Sequence, residues 1–279
     1  MHCYIINLPT ATKRLERTRR ELATYCPQLS WSVPPMFVAS EMSTKEFEEL
    51  YDSEKAWQFH KYLHSHGEVA CALSHQSALK NFLKTDDNCC LIVEDDVLFS
   101  PAIGKFLDGL KDWMAKREEV PISVVLSEAS AARYWTARPW INGIKRTRPI
   151  NICGAFAYVI NRAGAKLMLM ANAVPIHTAS DNWGYYGKYG LRVYGTNKLL
   201  AGSFDFSRID SSLSKDREAN YPNILARQVP VPFLKRKLLA LVVYVRRIWW
   251  LLTGVVVVRN RTNVGLYRAC DRLTECSND

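Results

Sequence analysis

The chain has 279 residues, of which 48% are apolar and 23% charged, with a formal net charge of +10. This balance supports a substantial core and excludes a disordered, collagen-like or low-complexity chain. The charge excess is concentrated near the end, where residues 215–279 hold twelve Lys or Arg against five acidic residues. Such a basic region favours anionic partners: phospholipid head groups, nucleic acid or phosphorylated substrates.

Hydrophobic patterning predicts alternating strands and helices over about the first 200 residues. The chain opens with an apolar strand at 3–8 and a basic amphipathic helix at 12–25, with Leu15, Leu22 and Tyr25 on its inner side. The following elements are a strand at 36–39, helical segments at 43–62 and 67–83, strands at 89–93, 122–126 and 155–160, and a helix at 161–170 capped by Asn161. This order predicts an α/β fold with a mostly parallel sheet and helices on both faces.

Residues 235–261 form the one segment that suggests a membrane. Its apolar stretch is long enough to span, but Arg246 and Arg247 lie in the middle, and each costs roughly 2.5–3.5 kcal/mol on insertion scales. A helix lying in the membrane interface, with Trp249 and Trp250 at head-group depth, fits better. The alternative is a C-terminal helix and strand that pack on the main domain. We therefore predict a main domain at 1–214 and a basic amphipathic region at 215–279.

The eight cysteines have no CxxC pair and no zinc-finger spacing. Cys71, Cys89, Cys90 and Cys153 lie within apolar runs, and the first ten residues lack the layout of a secretory signal. These features predict a reducing cytoplasm, in which the cysteines act as small buried hydrophobes.

The strongest chemical signal is the acidic triplet Glu94-Asp95-Asp96, which directly follows the apolar run 89–93. Three carboxylates at the end of a buried strand are costly unless a positive charge compensates them. Strand alternation directs Glu94 and Asp96 to one side and Asp95 to the other. Two such carboxylates at the carboxyl edge of a sheet can hold Mn²⁺ or Mg²⁺, which prefer oxygen ligands and bridge to a diphosphate. The alternative is a solvated acidic turn.

Four segments resemble glycosyltransferase family 25, which contains bacterial lipooligosaccharide galactosyltransferases and collagen galactosyltransferases. They are, in the expected order, residues 4–8 with Arg14, residues 67–75, residues 93–97, and residues 154–160 followed by His177 and Asp181. Ala179 and Ser180 stand where the family often has Pro-Val, so the carboxylate is kept while the loop differs. The resemblance covers about the first 200 residues and implies a GT-A-like, Rossmann-type domain that binds a nucleotide sugar.

The resemblance also implies a donor site. Its residues are Asn7, Leu8 and Arg14 near the nucleotide, Glu68, Ser74 and His75 in the wall, and Asp95, with Glu94 and Asp96 holding the cation. From the sequence alone, Arg14 is equally consistent with a charge on an exposed helix, and His75 with a hydrogen-bonded core histidine.

Asp181 is the candidate base. Inversion at a sugar carbon requires a base that takes the proton of the acceptor hydroxyl, and a partly buried carboxylate can do this. Asp181 lies in the Gly- and aromatic-rich stretch 180–187, whose rings suit the C–H faces of sugars. It could instead cap the following helix or complete the metal shell.

Together these features predict a metal-dependent, inverting transferase that moves a hexose, galactose from UDP-galactose, to a lipooligosaccharide or lipopolysaccharide acceptor. We expect it at the inner face of the bacterial plasma membrane, held to anionic lipid by residues 235–261, and leave a homo-oligomer open. One rival is a transferase that uses UDP-GlcNAc or UDP-glucose. A nucleic-acid-binding protein fits the charge and aromatics, but no helix-turn-helix, RNA-binding sheet motif or zinc module supports it. An inactive scaffold is disfavoured because Glu94, Asp96 and Asp181 are intact.

Overall fold

The structure is a computed structural model, which describes residues 1–128, 131–133, 137–152, 154–203 and 255–257. Its strands are β1 Cys3–Ile6, β2 Trp31–Ser32, β3 Cys89–Glu94, β4 Val97–Phe99, β5 Ile122–Glu128, β6 Ala131–Arg133, β7 Arg138–Ile141, β8 Ile144–Thr147, β9 Pro149–Asn151, β10 Ala157–Asn161, β11 Arg192–Thr196, β12 Ala201–Ser203 and β13 Val255–Val257. Its helices are α1 Thr12–Tyr25, α2 Thr44–Leu50, α3 Ser53–His60, α4 His66–Phe82, α5 Ile103–Ala115, α6 Arg162–Ala171 and α7 Trp183–Lys188, with a 3₁₀ turn at Ala39–Glu41.

An eight-stranded sheet in the order β2-β1-β3-β10-β5-β11-β8-β7 forms the centre of the molecule. Strands β10 and β8 run opposite to the other six, so the predicted α/β fold with a mostly parallel sheet is confirmed. The reversed direction of β10 was not predicted. Because Ala157 pairs with Val93, the amino end of β10 lies beside the carboxyl end of β3.

Successive residues of β3 enter two separate cores, as expected for a strand buried on both faces. Leu91 lies in the core to which helices α1 and α5 contribute Leu22 and Phe106. Ile92 lies in the other core, to which α4 contributes Phe82 and which α6 also covers. Helices therefore cover both faces of the sheet, and the carboxyl ends of β1, β3 and β5 lie at the same edge.

The predicted strand at 36–39 is wrong. The chain forms only the short strand β2 before it, and a 3₁₀ turn begins at Ala39. Pro34 and Pro35 have no N–H groups with which to extend the β ladder, and the Phe37 N–H donates to the Ser74 hydroxyl at 3.0 Å. The apolar residues of this segment therefore face α4 without forming a strand.

The predicted boundary at residue 214 and the segment 235–261 lie outside the described residues, except for Val255–Val257. These three residues form β13, which pairs antiparallel with β6. Within the described ranges, we find no helix with the length and apolar character needed to cross a bilayer. Among the described cysteines, Cys89 and Cys90 are buried as predicted, and none forms a disulfide.

Candidate active site

The first and third family-like segments meet at the carboxyl edge of the sheet. In the parallel pairing of β1 with β3, Ile6 is opposite Glu94, and the Asp95 N–H donates to the Ile6 carbonyl at 3.1 Å. Asn7, only 3% exposed, follows directly and donates from Nδ2 to the Leu8 carbonyl at 2.7 Å. Its buried Oδ1 has no hydrogen-bond partner among the described residues. The loop after β1 and the acidic triplet thus form one surface.

An ion pair between Arg14 and Asp95 fixes the turn of the triplet. The Arg14 Nη2 lies 2.5 Å from the Asp95 Oδ1, and its Nε donates to the same oxygen at 2.8 Å. The Thr18 hydroxyl donates to the Asp95 carbonyl at 2.9 Å. Burial raises the pKa of Asp95 to about 6, and the Arg14 guanidinium opposes this shift. Arg14 is therefore a half-buried partner of the triplet and not one more charge on the exposed face of the helix.

Glu94 and Asp96 differ in their surroundings. Glu94 retains partial exposure, whereas Asp96 is 4% exposed and accepts a hydrogen bond from the Ser203 hydroxyl of β12 at Oδ2. Its other oxygen, Oδ1, is buried and has no hydrogen-bond partner among the described residues. Burial and, after it, the negative charge of Glu94 together raise the pKa of Asp96 to about 7. The alternative of a solvated acidic turn is wrong, and an orphaned buried carboxylate oxygen fits a hard cation.

Two residues of the predicted donor wall stabilise local structure. Glu68 completes a capping box at the start of α4, because it accepts from the Ser65 N–H at 3.0 Å while its own N–H donates to the Ser65 hydroxyl at 3.2 Å. The Tyr62 hydroxyl also donates to Glu68, at 2.8 Å. Ser74 accepts the Phe37 N–H. Both residues therefore stabilise α4 and the segments that lead to it, and their place in a donor site stays a prediction.

His75 connects the core to the acidic triplet. It is 1% exposed, its Nδ1 lies 3.2 Å from the Tyr158 hydroxyl, and its Nε2 lies 3.4 Å from the Glu94 Oε1. One helical turn earlier, Cys71 also contributes a ligand-type atom within 4.8 Å of both side chains. His75 is therefore buried like a core histidine and at the same time faces a predicted metal ligand.

Asp181 lies in the loop that precedes α7. Its Oδ2 accepts the Gly154 N–H at 3.1 Å, and the Trp183 indole N–H donates to the Gly154 carbonyl at 3.3 Å. The residue that caps α7 is Asn182, so the N-cap alternative for Asp181 is wrong. Gly154 has φ +87°, a backbone conformation that favours glycine. The carboxylate is thus held by a backbone donor in a specific turn.

A three-residue segment links Asp181 to the acidic triplet. It begins at Gly154, which binds the Asp181 carboxylate, and ends at Phe156, whose carbonyl accepts the Glu94 N–H at 2.8 Å. This link depends on the reversed direction of β10, which brings its amino end to the carboxyl end of β3. The sheet topology therefore brings together residues almost ninety positions apart in the sequence.

A cavity of about 880 Å³ adjoins Asp181. Asn182, Arg148 and Arg192 line it, together with the largely buried Trp183. The acidic triplet does not line it. Asp181 is therefore the candidate catalytic residue that lines this cavity. The positive charges of Arg148 and Arg192 suit the cavity to a polar or anionic ligand.

A comparison with protein-family models matches residues 1–183 to "Glycosyltransferase family 25 (LPS biosynthesis protein)". The chain belongs to glycosyltransferase family 25. Membership makes it a glycosyltransferase of the lipopolysaccharide-biosynthesis family, with a nucleotide-sugar donor and a glycoconjugate acceptor, and confirms the resemblance found in the four segments.

Two solved structures are similar to this family 25 enzyme in coarse outline. A197 from STIV has 12% identity and a TM-score of 0.39, over 73% of this chain and 86% of that chain. A glycosyltransferase involved in the glycosylation of the major capsid of PBCV-1 has 11% identity and a TM-score of 0.32, over 78% of this chain and 98% of that chain. Neither similarity is high enough to bear on the site. No curated protein matches the sequence.

His177, which belongs to the fourth family-like segment, does not line the cavity. It is fully buried, and its ring Nε2 lies 2.7 Å from the Tyr185 hydroxyl. Its backbone N–H donates to the Asn172 Oδ1 at 2.9 Å. Burial lowers the pKa of His177 to about 4. In this glycosyltransferase His177 therefore packs the loop that carries Asp181.

Sequence reasoning missed three residues of the site in this enzyme. Cys71 was assigned only to an apolar run, although its spacing of four from His75 places both on one face of a helix. Arg192 carries no motif, and only the cavity reveals it. Tyr158, which contacts His75, lies inside a strand run whose direction had no signal in the sequence.

Proposed function

We propose that this family 25 enzyme is an inverting, metal-dependent transferase of GT-A-like architecture. It transfers a hexose to a lipooligosaccharide or lipopolysaccharide acceptor, and the proposed hexose is galactose, donated by UDP-galactose. The observation that carries the proposal is the position of Asp181, whose backbone-anchored carboxylate lines the 880 Å³ cavity and is linked to the acidic triplet. A base beside one pocket and oxygen ligands at a neighbouring strand end are the groups that transfer from a nucleotide sugar requires.

On the donor side, Glu94 and Asp96 would hold Mn²⁺ or Mg²⁺, since both offer carboxylate oxygens and the Asp96 Oδ1 is orphaned. The cation, when bound, neutralises the diphosphate as it leaves the sugar. Arg14 keeps Asp95 in its turn, so the triplet stays aligned without the donor. The donor side also includes Asn7 and Leu8 in the loop after β1, with Glu68, Ser74 and His75 forming its wall.

On the acceptor side, the cavity next to Asp181 takes the acceptor sugar. The Asp181 carboxylate removes the proton of the attacking hydroxyl as the new C–O bond forms. The Gly154 N–H fixes one carboxylate oxygen of Asp181, and the buried Trp183, whose indole N–H donates to the Gly154 carbonyl, supports that turn. The base therefore requires no rearrangement of its own backbone to act.

Release of UDP from a panel of UDP-sugars, with and without Mn²⁺, tests this proposal. We expect metal-dependent turnover of UDP-galactose by the wild-type chain and loss of that turnover in Asp96→Ala. Turnover of only UDP-GlcNAc or only UDP-glucose would show that this sugar nucleotide, and not UDP-galactose, is the donor. Absence of both turnover and metal-dependent UDP binding in a folded chain would reject the catalytic proposal.

We also propose that residues 235–261 bind the enzyme to an anionic membrane surface, where a lipid-linked acceptor lies. The support is the sequence pattern of Arg246 and Arg247 beside Trp249 and Trp250. The full chain should sediment with anionic vesicles, and a chain truncated before Leu234 should not. Equal sedimentation of both chains would reject the membrane role.

A further inference from the structure

Three side chains with different ligand chemistry meet beneath the acidic triplet. Cys71 and His75 are four residues apart on α4, so both point to the same face of that helix. Glu94 ends β3, against which α4 packs through the core. The sulfur, nitrogen and oxygen atoms of the three residues all lie within 4.8 Å of one another. Such a set is a metal-ligand combination, and nothing in the proposed catalysis requires its sulfur or nitrogen.

The distance between His75 and Glu94 matches that between two ligands of one ion. The Nε2 and Oε1 atoms are 3.4 Å apart. Bonds of about 2.0–2.2 Å to nitrogen and oxygen at a tetrahedral angle separate the two ligand atoms by about 3.4 Å. The Nε2 is buried and makes no hydrogen bond to any described residue, although the carboxylate is so close. The nitrogen therefore faces the carboxylate without the geometry of a donor and acceptor.

Tyr158 provides the outer partner that a metal-binding histidine normally has. Its hydroxyl lies 3.2 Å from the His75 Nδ1, and the residue is fully buried. If Nδ1–H donates to this hydroxyl, Nε2 keeps its lone pair and points it toward Glu94. A hydrogen bond of this kind fixes the tautomer and the ring orientation of a ligating histidine.

We propose that Cys71, His75 and Glu94 bind a borderline divalent cation of the Zn²⁺ class. Thiolate and imidazole favour Zn²⁺ or Co²⁺ over Mg²⁺ and Mn²⁺, whose preferred ligands are oxygens. The site is distinct from the oxygen site of Glu94 and Asp96, and it shares only the Glu94 carboxylate with it. Half-buried Cys71 gives the ion a path from solvent. A resident ion would hold Glu94 in place before the donor arrives.

Cobalt absorption tests the site directly, because only a cobalt–thiolate bond gives a charge-transfer band in the near ultraviolet. The full-length chain is stripped with a chelator and titrated with Co²⁺ in the absence of UDP-sugar. We expect a band that saturates at about one Co²⁺ per chain, that Zn²⁺ abolishes and that Mg²⁺ leaves unchanged. A wild-type chain that shows no band at saturating Co²⁺ would overturn the proposal.

Two variants and a matched control locate the ion. Cys71→Ser should lose the band, whereas Cys26→Ser, which alters a buried cysteine on the far face of the sheet, should keep it. Tyr158→Phe should keep the band but weaken Co²⁺ affinity about 10–100-fold, as loss of an outer-shell hydrogen bond does. If Cys71→Ser misfolds, the Tyr158→Phe titration decides, and unchanged affinity there contradicts the site. A band that survives in folded Cys71→Ser assigns the ion to another cysteine and also overturns the proposal.

The experiments can reject the proposed transferase activity and the proposed Cys71–His75–Glu94 site independently of each other. A wild-type chain with the cobalt band but no donor turnover would reject the catalytic proposal and leave the Cys71–His75–Glu94 site standing. Metal-dependent turnover by a chain without the band would do the reverse.

Discussion

The ion pair between Arg14 and Asp95 can be removed one partner at a time, so its contribution to stability can be measured. Its side chains are only 20% and 10% exposed, and their nearest atoms are 2.5 Å apart. Removing one partner of a buried pair costs about 3–5 kcal/mol, because the other charge stays buried and uncompensated. Since Arg14 keeps some contact with solvent, we expect Arg14→Met to lower the free energy of unfolding by about 2–3 kcal/mol.

A double-mutant cycle measures this coupling. Asp95→Asn removes the charge that Arg14 compensates, so adding it to Arg14→Met should restore much of the lost stability and give a coupling energy of about 1.5–2 kcal/mol. The assay is urea unfolding followed by tryptophan fluorescence, with unchanged m-values as the condition for comparison.

The control is the exposed pair Arg19–Glu16, whose charged atoms are 3.3 Å apart and whose side chains are both 50% exposed. Its cycle should give no more than about 0.5 kcal/mol. A coupling energy for Arg14–Asp95 no larger than that of the control would refute the claim that Arg14 stabilises the turn at Asp95.

Three further predictions concern stability, and equilibrium urea unfolding checks each. Gly104→Ala should destabilise by about 1–3 kcal/mol despite better helix propensity, because its Cβ would lie 2.5 Å from the Tyr25 carbonyl oxygen, whereas Gly184→Ala, with open space around it, should be neutral or stabilising. Asn161→Ala should cost more than about 3 kcal/mol, because this buried side chain caps α6 and also binds the Ile122 N–H at 3.0 Å; a loss below 1 kcal/mol, on the order of an exposed cap, would contradict that. Burial lowers the pKa of His64 from 6.5 to about 4. The unfolded chain therefore binds the proton at a higher pH than the folded chain does. The contribution of neutral His64 to stability is full above pH 6.5 and is lost towards pH 4, so the wild type should lose more stability over this range than His64→Gln.

The elements that the sequence predicts well have local causes. The bounds of α1, Thr12–Tyr25, coincide with the amphipathic pattern, and Asn161 caps α6 as its position before an apolar helix indicates. The apolar run before the triplet is β3 because it is buried on both faces. Each signal is contained within one segment of the chain.

The features that the sequence does not reveal depend on contacts between distant segments. The segment at 36–39 is not a strand because Ser74, on α4, takes the backbone donor of Phe37. The direction of β10 is set by its pairing with β3 and β5, and an apolar run carries no record of direction. The cluster of Cys71, His75 and Glu94 arises only when α4 packs on β3. Residue type and spacing therefore predicted an acidic triplet at the end of a buried strand but not what surrounds it.

Turnover of the donor by Asp181→Asn tests the central claim most directly, since Asp181 joins the cavity, the family match and the proposed chemistry. UDP release and product formation are measured with the metal present for Asp181→Asn, for the wild type and for the control Asp108→Asn. Asp108 is an exposed carboxylate on α5 that accepts a hydrogen bond from the Gln28 side chain. We predict that kcat falls about 10²–10⁴-fold in Asp181→Asn, with donor affinity unchanged and Asp108→Asn fully active. A folded Asp181→Asn enzyme with kcat close to that of the wild type would contradict the assignment of the base.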